Sequence, residues 1–172
     1  MSNNRLAIVG VMGSSSEEHN DLAQPLGEWL ATLPVHLLTG GGKGVMTSVS
    51  RAFHGVKDRE GQVLGVLPYQ KFGYPNPFVE IPIQTHLSLS GERGTDPLSR
   101  NHINVLSSDL VIALPGWHGT SSEVKLALEY KKTVLAFVNS REDIPDLPAK
   151  VPHTDDLEQL KDLVIISLDL VD

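Results

Sequence analysis

The sequence predicts a Rossmann-like α/β fold, in which a doubly wound, mostly parallel sheet carries helices on both faces of a single domain. Short apolar runs alternate with segments of helical periodicity along the chain. Two glycine-bearing turns each lie between such a run and a helix. The length suits one domain with a sizeable core, so we expect a single nucleotide-binding domain over residues 1–172.

The first half of the chain predicts four strands and two helices. Pro25 interrupts the first helical pattern, so that helix either starts near Asn20 or Asp21 or is bent at the proline. Pro82 places the fourth run at a sheet edge or at a strand end. The predicted strands are residues 6–12, 35–38, 63–67 and 78–83, and the second helix is residues 45–56.

The second half of the chain predicts three further strands and three further helices. The strand at residues 110–114 is a continuous apolar run, which is typical of a strand buried on both faces. The other strands are predicted at residues 133–138 and 164–168, the helices at 98–107, after Thr120 and at 156–163, and a linker at 139–156. Residues 86–97 predict a mobile loop, in which Arg93 either closes over a ligand or is simply solvated.

The composition argues against several classes of function. The net charge of −7 argues against a nucleic-acid-binding surface, and the aromatic content of 5% argues against stacking of single strands. No apolar run approaches the ~20 residues of a membrane span. The absence of cysteine excludes disulfides and thiolate metal sites. With no cleavable signal pattern at its start, the sequence predicts a cytoplasmic protein.

The turn after the central strand is the first candidate binding site. It consists of Pro115, Gly116, Trp117, His118, Gly119 and Thr120. In an open α/β sheet such a turn lies at the carboxyl edge, and the N–H groups at a helix N-terminus suit phosphate or another anion. The spacing of Thr120 and Glu123 is equally that of a capping box, in which Glu123 would only secure the start of the helix.

The turn after the second strand is the second candidate. It consists of Gly40, Gly41, Gly42, Lys43 and Gly44. Repeated glycines permit φ > 0 and close approach of the backbone to a ligand, so Gly42→Val is predicted to disrupt ligand binding. Lys43 either contacts a phosphate or is solvated. The spacing is neither that of a Walker A loop nor a dinucleotide fingerprint, but the two turns would meet at one sheet edge, which favours a nucleotide-like ligand.

Three motifs resemble those of one family, the LONELY GUY (LOG) proteins. Residues 40–46 resemble its Gly-Gly-Gly-x-x-Gly-Leu-Met segment, residues 115–123 its Pro-Gly-Gly-x-Gly-Thr-x-x-Glu, and residues 12–16 its opening Gly-Ser-Ser. The resemblance covers about residues 6–138. LOG proteins are Rossmann-like enzymes that remove the base from cytokinin riboside 5′-monophosphates, and many were once labelled possible lysine decarboxylases.

The resemblance implies an N-glycosidase that cleaves a nucleoside 5′-monophosphate to base and ribose 5-phosphate. Arg100 and Glu123 match the family's two catalytic positions; Glu123 would be general base or charge stabiliser, and Arg100 would orient phosphate or sugar. No metal or organic cofactor is needed, and a homodimer or homotetramer is expected. The implied ligand-binding residues are Gly13, Ser14, Ser15, Gly40, Gly41, Gly42, Lys43, Gly44, Met46, Asn101, Pro115, Gly116, Trp117, His118, Gly119 and Thr120.

Two departures from the LOG pattern favour a different reading of the same turns. Trp117 stands where the family has its second glycine, and Asn101 where it has the lysine after the catalytic arginine. The Arg100-Asn101 pair and the helix after Thr120 are more similar to the neighbouring branch that includes the molybdenum cofactor carrier proteins. The alternative is therefore a non-catalytic carrier or sensor of molybdenum cofactor or a nucleotide. Trp117 would either stack on a ligand ring or fill a gap in the core.

Overall fold

The computed structural model describes residues 5–89 and 93–170, whose strands form one seven-stranded sheet. The strands are β1 (Ala7–Met12), β2 (Val35–Thr39), β3 (Val63–Leu67), β4 (Ile81–Gln84), β5 (Leu110–Ala113), β6 (Thr133–Phe137) and β7 (His153–Thr154). They are ordered β4-β3-β2-β1-β5-β6-β7, and every neighbouring pair is parallel. The predicted fold class is confirmed, with a sheet that is parallel throughout these ranges.

Helices cover both faces of the sheet. They are α1 (Asn20–Leu30), α2 (Val45–Gly55), α3 (Asn101–Ser107), α4 (His118–Glu129) and α5 (Leu157–Ser167). Apolar residues of α1, α2 and α5 pack on one face, and those of α3 and α4 pack on the other. Alternate residues of each strand supply the two faces, because successive strand side chains point in opposite directions. None of the helices within the described ranges is long and apolar enough to cross a membrane.

Strand β5 and the last four residues of its neighbour β1 are buried in the middle of the sheet. Leu110, Val111 and Ile112 of β5 have no exposed surface, and Val9 and Val11 of β1 are equally buried. Leu110 and Ile112 join the cluster under α1 and α2, whereas Val111 joins the cluster under α3 and α4. The predicted strand at residues 110–114 is a continuous apolar run because both faces of β5 are covered, as the sequence suggests.

The first helix and the fourth strand confirm two predictions that depended on proline. Helix α1 begins at Asn20 and keeps Pro25 in its interior. Strand β4 pairs only with β3 in the described sheet, at its edge, where Pro82 removes no hydrogen bond to a second neighbour. Helix α3 begins at Asn101, three residues later than predicted, because the preceding residues form turns.

The prediction of a last strand at residues 164–168 is wrong. Residues 164–167 belong to α5, and Leu168 is its C-cap. The Asp156 carboxylate caps the start of this helix by accepting hydrogen bonds from the N–H groups of Glu158 at 2.8 Å and Gln159 at 3.3 Å. Leu160 and Val164 are fully buried one helical turn apart, whereas Ile166 is 70% exposed. The β-branched run in this segment resembles a strand, but packing against the sheet selects the helix.

The seventh strand lies inside the predicted linker. Strand β7 has only two residues, His153 and Thr154, and pairs with the end of β6. The His153 ring lies 3.0 Å from Arg141 Nη1, which also contacts the carbonyl oxygen of Val151 at 3.2 Å. So short a strand has no readable periodicity, and only its partner strand identifies it.

Candidate functional site

A pocket of about 310 Å³ lies at the carboxyl edge of the sheet, beside the ends of β1 and β5. These two strands pair directly, and the helices that follow them, α1 and α4, pack on opposite faces. Open α/β sheets bind ligands at such a point, because the chain leaves the two strands in opposite directions and opens a crevice. The topology alone therefore marks this pocket as a candidate ligand site.

Both glycine-bearing turns contribute to the pocket. The predicted residues that line it are Gly13, Ser14, Ser15, Gly40, Met46, Arg100, Asn101, Trp117, His118, Gly119, Thr120 and Glu123. Of the predicted residues, Gly41, Gly42, Lys43, Gly44, Pro115 and Gly116 do not line it. The structure thus brings together residues from four separate parts of the chain at one edge of the sheet.

Ser14 joins the three loops that surround the pocket. Its backbone N–H donates to the carbonyl oxygen of Pro115, and its own carbonyl oxygen accepts from the N–H of Val45, each at 2.9 Å. Its hydroxyl oxygen also accepts from the N–H of Glu17 at 3.0 Å. The loop after β1 is therefore bonded to the turn before α4 and to the start of α2, which holds the pocket walls in fixed relative positions.

Two glycines allow the loops to approach this closely. Gly44 has φ of 64° and ψ of −133°, a region that other residues rarely adopt, and a Cβ there would overlap the carbonyl oxygen of Ser14. A Cβ at Gly116 would overlap the hydroxyl oxygen of Thr120 and lie 2.9 Å from the N–H nitrogen of Ser14. Neither residue lines the pocket, so their role is to support its wall.

Arg100 places a buried cation at the pocket. The residue is 5% exposed, and its guanidinium packs against Gly40, where a Cβ would lie 2.7 Å from Nη2. The Tyr74 ring covers the group from another side, with its centroid 5.7 Å from Cζ. Among the residues that the structure describes, the guanidinium has no hydrogen-bond acceptor, and its Nε is fully buried without one. Such a group fits an anionic ligand.

Glu123 places a buried carboxyl group at the same pocket. The residue is 7% exposed, and its Oε1 accepts a hydrogen bond from Asn104 Nδ2 at 2.9 Å. Burial raises the pKa of the carboxyl group to about 7, while the Asn104 hydrogen bond and the positive charge of Arg100 act in the opposite direction. A carboxyl group with this pKa is partly protonated at neutral pH, so it can accept or donate a proton.

The capping-box interpretation of Thr120 and Glu123 is wrong. Helix α4 begins at His118, so Thr120 already lies in its first turn, and no side chain caps the helix start at Trp117. The Glu123 carboxyl group is bonded to the neighbouring helix α3 through Asn104. The sequence spacing alone does not distinguish these cases, because it does not show which helix faces Glu123.

The residues that line the pocket differ sharply in exposure. We call four buried polar residues of this lining the floor: Arg100, Asn101, Thr120 and Glu123. We call three of its exposed residues the mouth: Lys71, Trp117 and His118. Trp117 is 67% exposed, so the alternative in which it fills a gap in the core is wrong.

The glycine-rich turn after β2 differs from the sequence prediction in the position of Lys43 and in the backbone conformation of Gly42. Lys43 is exposed and does not line the pocket, which favours the solvated alternative. The positive φ predicted for Gly42 is wrong; among these glycines it occurs at Gly41 and Gly44. A Cβ at Gly42 would instead lie 2.8 Å from the Tyr74 hydroxyl oxygen and 2.8 Å from the Met46 methyl carbon. Gly42→Val would therefore disturb the pocket through Tyr74.

Several residues at the pocket are absent from the sequence predictions. Val11, Met12, Lys71 and Tyr74 line it, and Asn104 lies behind the floor with its Oδ1 buried and unpartnered in the described chain. Asn104 is one helical turn beyond Arg100, and this spacing is a signal that the sequence offers. Tyr74 lies in a loop without periodicity, so no comparable signal identifies it.

The predicted mobile loop at 86–97 is described only in part. Residues 90–92 of that loop lie outside the described residues. Arg93 is exposed, forms an ion pair with Asp96 at 2.7 Å and does not line the pocket. A Cβ at Gly94 would lie 2.6 Å from the Ser122 hydroxyl oxygen, so this end of the loop packs on α4 beside the pocket.

Comparison with known proteins gives relatives over nearly the whole chain. A protein of Archaeoglobus fulgidus described only as uncharacterized is 34% identical over 132 residues, which is 76% of this chain and 79% of the relative. The molybdenum cofactor binding protein of Rippkaea orientalis is 32% identical, with a TM-score of 0.75 over 96% of this chain and 99% of that one.

A second solved structure agrees with the first. The molybdenum cofactor carrier protein of Chlamydomonas reinhardtii is 30% identical, with a TM-score of 0.72 over 96% of this chain and 99% of that one.

The sequence profile of the SLOG cluster4 family matches residues 6–163, which include both glycine-bearing turns, Arg100 and Glu123. The LOG-like resemblance and its branch near the carrier proteins are thereby confirmed, and the chain belongs to the SLOG cluster4 family.

Proposed function

We propose that this protein binds molybdenum cofactor in the pocket at the carboxyl edge of its sheet and carries it without turnover. Two solved structures that resemble this chain over 96% of its length are those of a molybdenum cofactor binding protein and a molybdenum cofactor carrier protein. The cofactor combines a phosphate group with a flat ring system, and the pocket offers features that suit each part.

The observation that carries the proposal is the buried Arg100 guanidinium without an acceptor. A buried N–H donor such as the Arg100 Nε is normally paired, because leaving it without an acceptor costs the hydrogen bond that water would otherwise supply. An anionic oxygen of the cofactor would complete this site. The N-terminal turn of α4, at Gly119 and Thr120, lies at the same pocket and adds unpaired backbone N–H groups of the kind that bind phosphate.

Glu123 suits an anionic ligand when it is protonated. Burial raises the pKa of this carboxyl group to about 7, so an appreciable fraction is neutral at physiological pH. In that form it donates a hydrogen bond to a ligand oxygen and does not repel the phosphate. The floor therefore combines one permanent cation with one group that becomes neutral when an anion arrives.

The test is retention of the cofactor by the purified protein. Molybdenum cofactor released from a molybdoenzyme is mixed with the protein, and molybdenum and pterin are measured in the protein peak after gel filtration. We expect co-elution with the native protein and a loss of affinity of about ten-fold or more in Arg100→Gln, because hydrogen bonds to charged groups contribute about 1.5–3 kcal/mol. Gly40→Ala should also lower the affinity for the cofactor, because its Cβ would displace the Arg100 guanidinium.

Arg51→Gln is the matched control for charge. Arg51 is exposed, pairs with Glu18 at 2.7 Å on the α1–α2 surface and does not line the pocket. Its loss should leave cofactor retention unchanged. Absence of co-elution with the folded native protein would contradict the carrier proposal, and equal losses in Arg51→Gln and Arg100→Gln would show that only net charge matters.

A second candidate function, the phosphoribohydrolase, rests on Glu123. A carboxyl group with a pKa of about 7 at a pocket floor is suited to general acid–base chemistry at neutral pH. In its ionised form Glu123 would accept a proton from water as the water attacks the ribose carbon of the glycosidic bond, while the bond to the base breaks. Arg100 would hold the phosphate or sugar in place.

The two functions are separated by a turnover assay. The protein is incubated with a panel of nucleoside 5′-monophosphates, and free base and ribose 5-phosphate are followed by chromatography beside Glu123→Gln. Release by the native protein and its loss in the variant would establish the hydrolase. No release from any nucleotide, together with retention of the molybdenum cofactor, would establish the carrier.

A further inference from the structure

Trp117 is the aromatic residue that the sequence places in the pocket turn. It is 67% exposed and yet lines the pocket, immediately before α4. In the part of the chain that the structure describes, its indole makes no ring stack, cation–π contact or hydrogen bond. An aromatic side chain of this size left in water is a large apolar surface beside a polar site.

The backbone that carries Trp117 is fixed on both sides. The carbonyl oxygen of Trp117 accepts from the N–H of Ser121 at 3.0 Å in the first turn of α4. The N–H of Gly116 donates to the carbonyl oxygen of Asp143, also at 3.0 Å. The backbone that carries the ring is therefore fixed at the mouth, so a ligand that packs against the indole has to immobilise only the side chain.

The tyrosine ring at the pocket is already engaged. Tyr74 packs over the Arg100 guanidinium at 5.7 Å, and Lys71 Nζ lies 6.0 Å from its centroid. Phe72 is fully exposed but does not line the pocket. Trp117 thus offers the aromatic face at the mouth, while the buried charges lie at the floor.

We propose that Trp117 stacks on the flat ring system of the bound ligand and sets specificity for ring-bearing phosphate compounds over simple phosphates. The inference rests on the proposed function, because molybdenum cofactor supplies the ring. Arg100 and the α4 N-terminus hold anionic oxygens, and Trp117 covers the ring where it emerges from the pocket. A flat heterocycle packs favourably against an indole face, since the faces of both rings are polarisable and weakly hydrated.

The first experiment uses the chain's two tryptophans. Trp29 lies on α1, packed against the core cluster on one face of the sheet and 5.9 Å from Lys161 Nζ. In Trp29→Phe all tryptophan emission therefore comes from Trp117, and acrylamide quenching reports its exposure. We expect strong quenching in the free protein and a fall of about two-fold in the quenching constant when molybdenum cofactor binds, because stacking covers the ring. An unchanged constant at saturating cofactor would overturn the proposal.

The second experiment measures cofactor affinity in Trp117→Ala and Trp117→Phe, with melting temperatures to establish folding. Alanine should weaken binding about ten-fold, as loss of a stacking ring does, and phenylalanine should restore most of it. Binding of inorganic phosphate, measured by competition, should be the same in all three proteins. Equal cofactor affinity in native protein and Trp117→Ala would overturn the inference.

Failure of the two proposals gives different results. If the folded native protein does not retain the cofactor, the carrier function fails and the stacking inference fails with it. If the native protein retains the cofactor but neither the quenching constant nor the alanine variant shows a change, only the stacking inference fails.

Discussion

The floor and the mouth of the pocket differ in how far their side chains are buried and in what holds them. Arg100 and Glu123 at the floor are 5% and 7% exposed and are held by packing from several elements, whereas Trp117 at the mouth is 67% exposed and its side chain is held by nothing in the described chain. Changes at the floor or its supports should therefore alter both stability and binding. Changes at Trp117 and His118 of the mouth should alter binding alone, because these side chains are exposed.

The largest effect on stability is expected at Gly44, where the loops that support the floor approach each other. Gly44→Ala should lower the free energy of unfolding by about 3 kcal/mol, because alanine must adopt an unfavourable backbone conformation and its Cβ overlaps the Ser14 carbonyl oxygen. Denaturant unfolding measures this change.

Gly55→Ala is the matched control for that prediction. Gly55 is the last residue of α2, and a Cβ there would have no atom within 4 Å. This variant should be neutral or up to about 1 kcal/mol more stable, since alanine favours the helix. Similar losses in the two variants would show that the loops do not depend on close approach at Gly44.

A pH-dependent effect is expected at the floor itself. The pKa of Glu123 rises from its ordinary 4.5 to about 7 on folding, mainly because burial disfavours the charged form. Between these values the folded protein binds more protons than the unfolded chain, so the free energy of unfolding falls as pH rises through this window and is level above it. The shift corresponds to about 3 kcal/mol.

The variant Glu123→Gln should lack this dependence, because an amide does not ionise. Its free energy of unfolding, relative to that of the native protein, should rise by about 3 kcal/mol between pH 4.5 and pH 8. Urea unfolding across this range is the measurement, with exposed Glu28→Gln on α1 as the control that keeps the native slope. Parallel pH profiles for the native protein and Glu123→Gln would show that folding does not shift the pKa of the Glu123 carboxyl group.

The smallest effect on stability is expected at the mouth. His118→Ala should change the free energy of unfolding by no more than about 0.5 kcal/mol, because the side chain is exposed at the first residue of α4. Thermal melting beside Gly44→Ala would measure the contrast directly. A loss comparable to that of Gly44→Ala would remove the distinction between floor and mouth.

The sequence predicted well those features that depend on local pattern. The apolar runs that become β1, β2, β3, β5 and β6 are readable, since a strand buried on both faces needs apolar residues at every position. The convergence of the two glycine-bearing turns also follows, because all strand ends of a parallel sheet lie at one edge. The resemblance to LOG proteins identified Arg100 and Glu123, and both line the pocket.

Other structural features could not be predicted from the sequence, because they depend on which elements pack against a segment. The apolar residues after Asp162 suit strand or helix equally, and contact with the sheet decides for α5. Thr120 and Glu123 have the spacing of a capping box, yet the position of α3 gives Glu123 its partner Asn104. Two-residue β7 exists only through its pairing with β6.

What the sequence by itself determined is the alternating α/β order, the glycine positions and the residue types available for binding, since periodicity and conformational preference are local properties. Only the tertiary structure decided the chemistry of the site. Burial raises the pKa of Glu123, packing leaves Arg100 without an acceptor and exposure leaves the Trp117 ring free in the described chain. Each of these depends on which residues distant in sequence pack around the side chain and which leave it in solvent, and no local pattern encodes this.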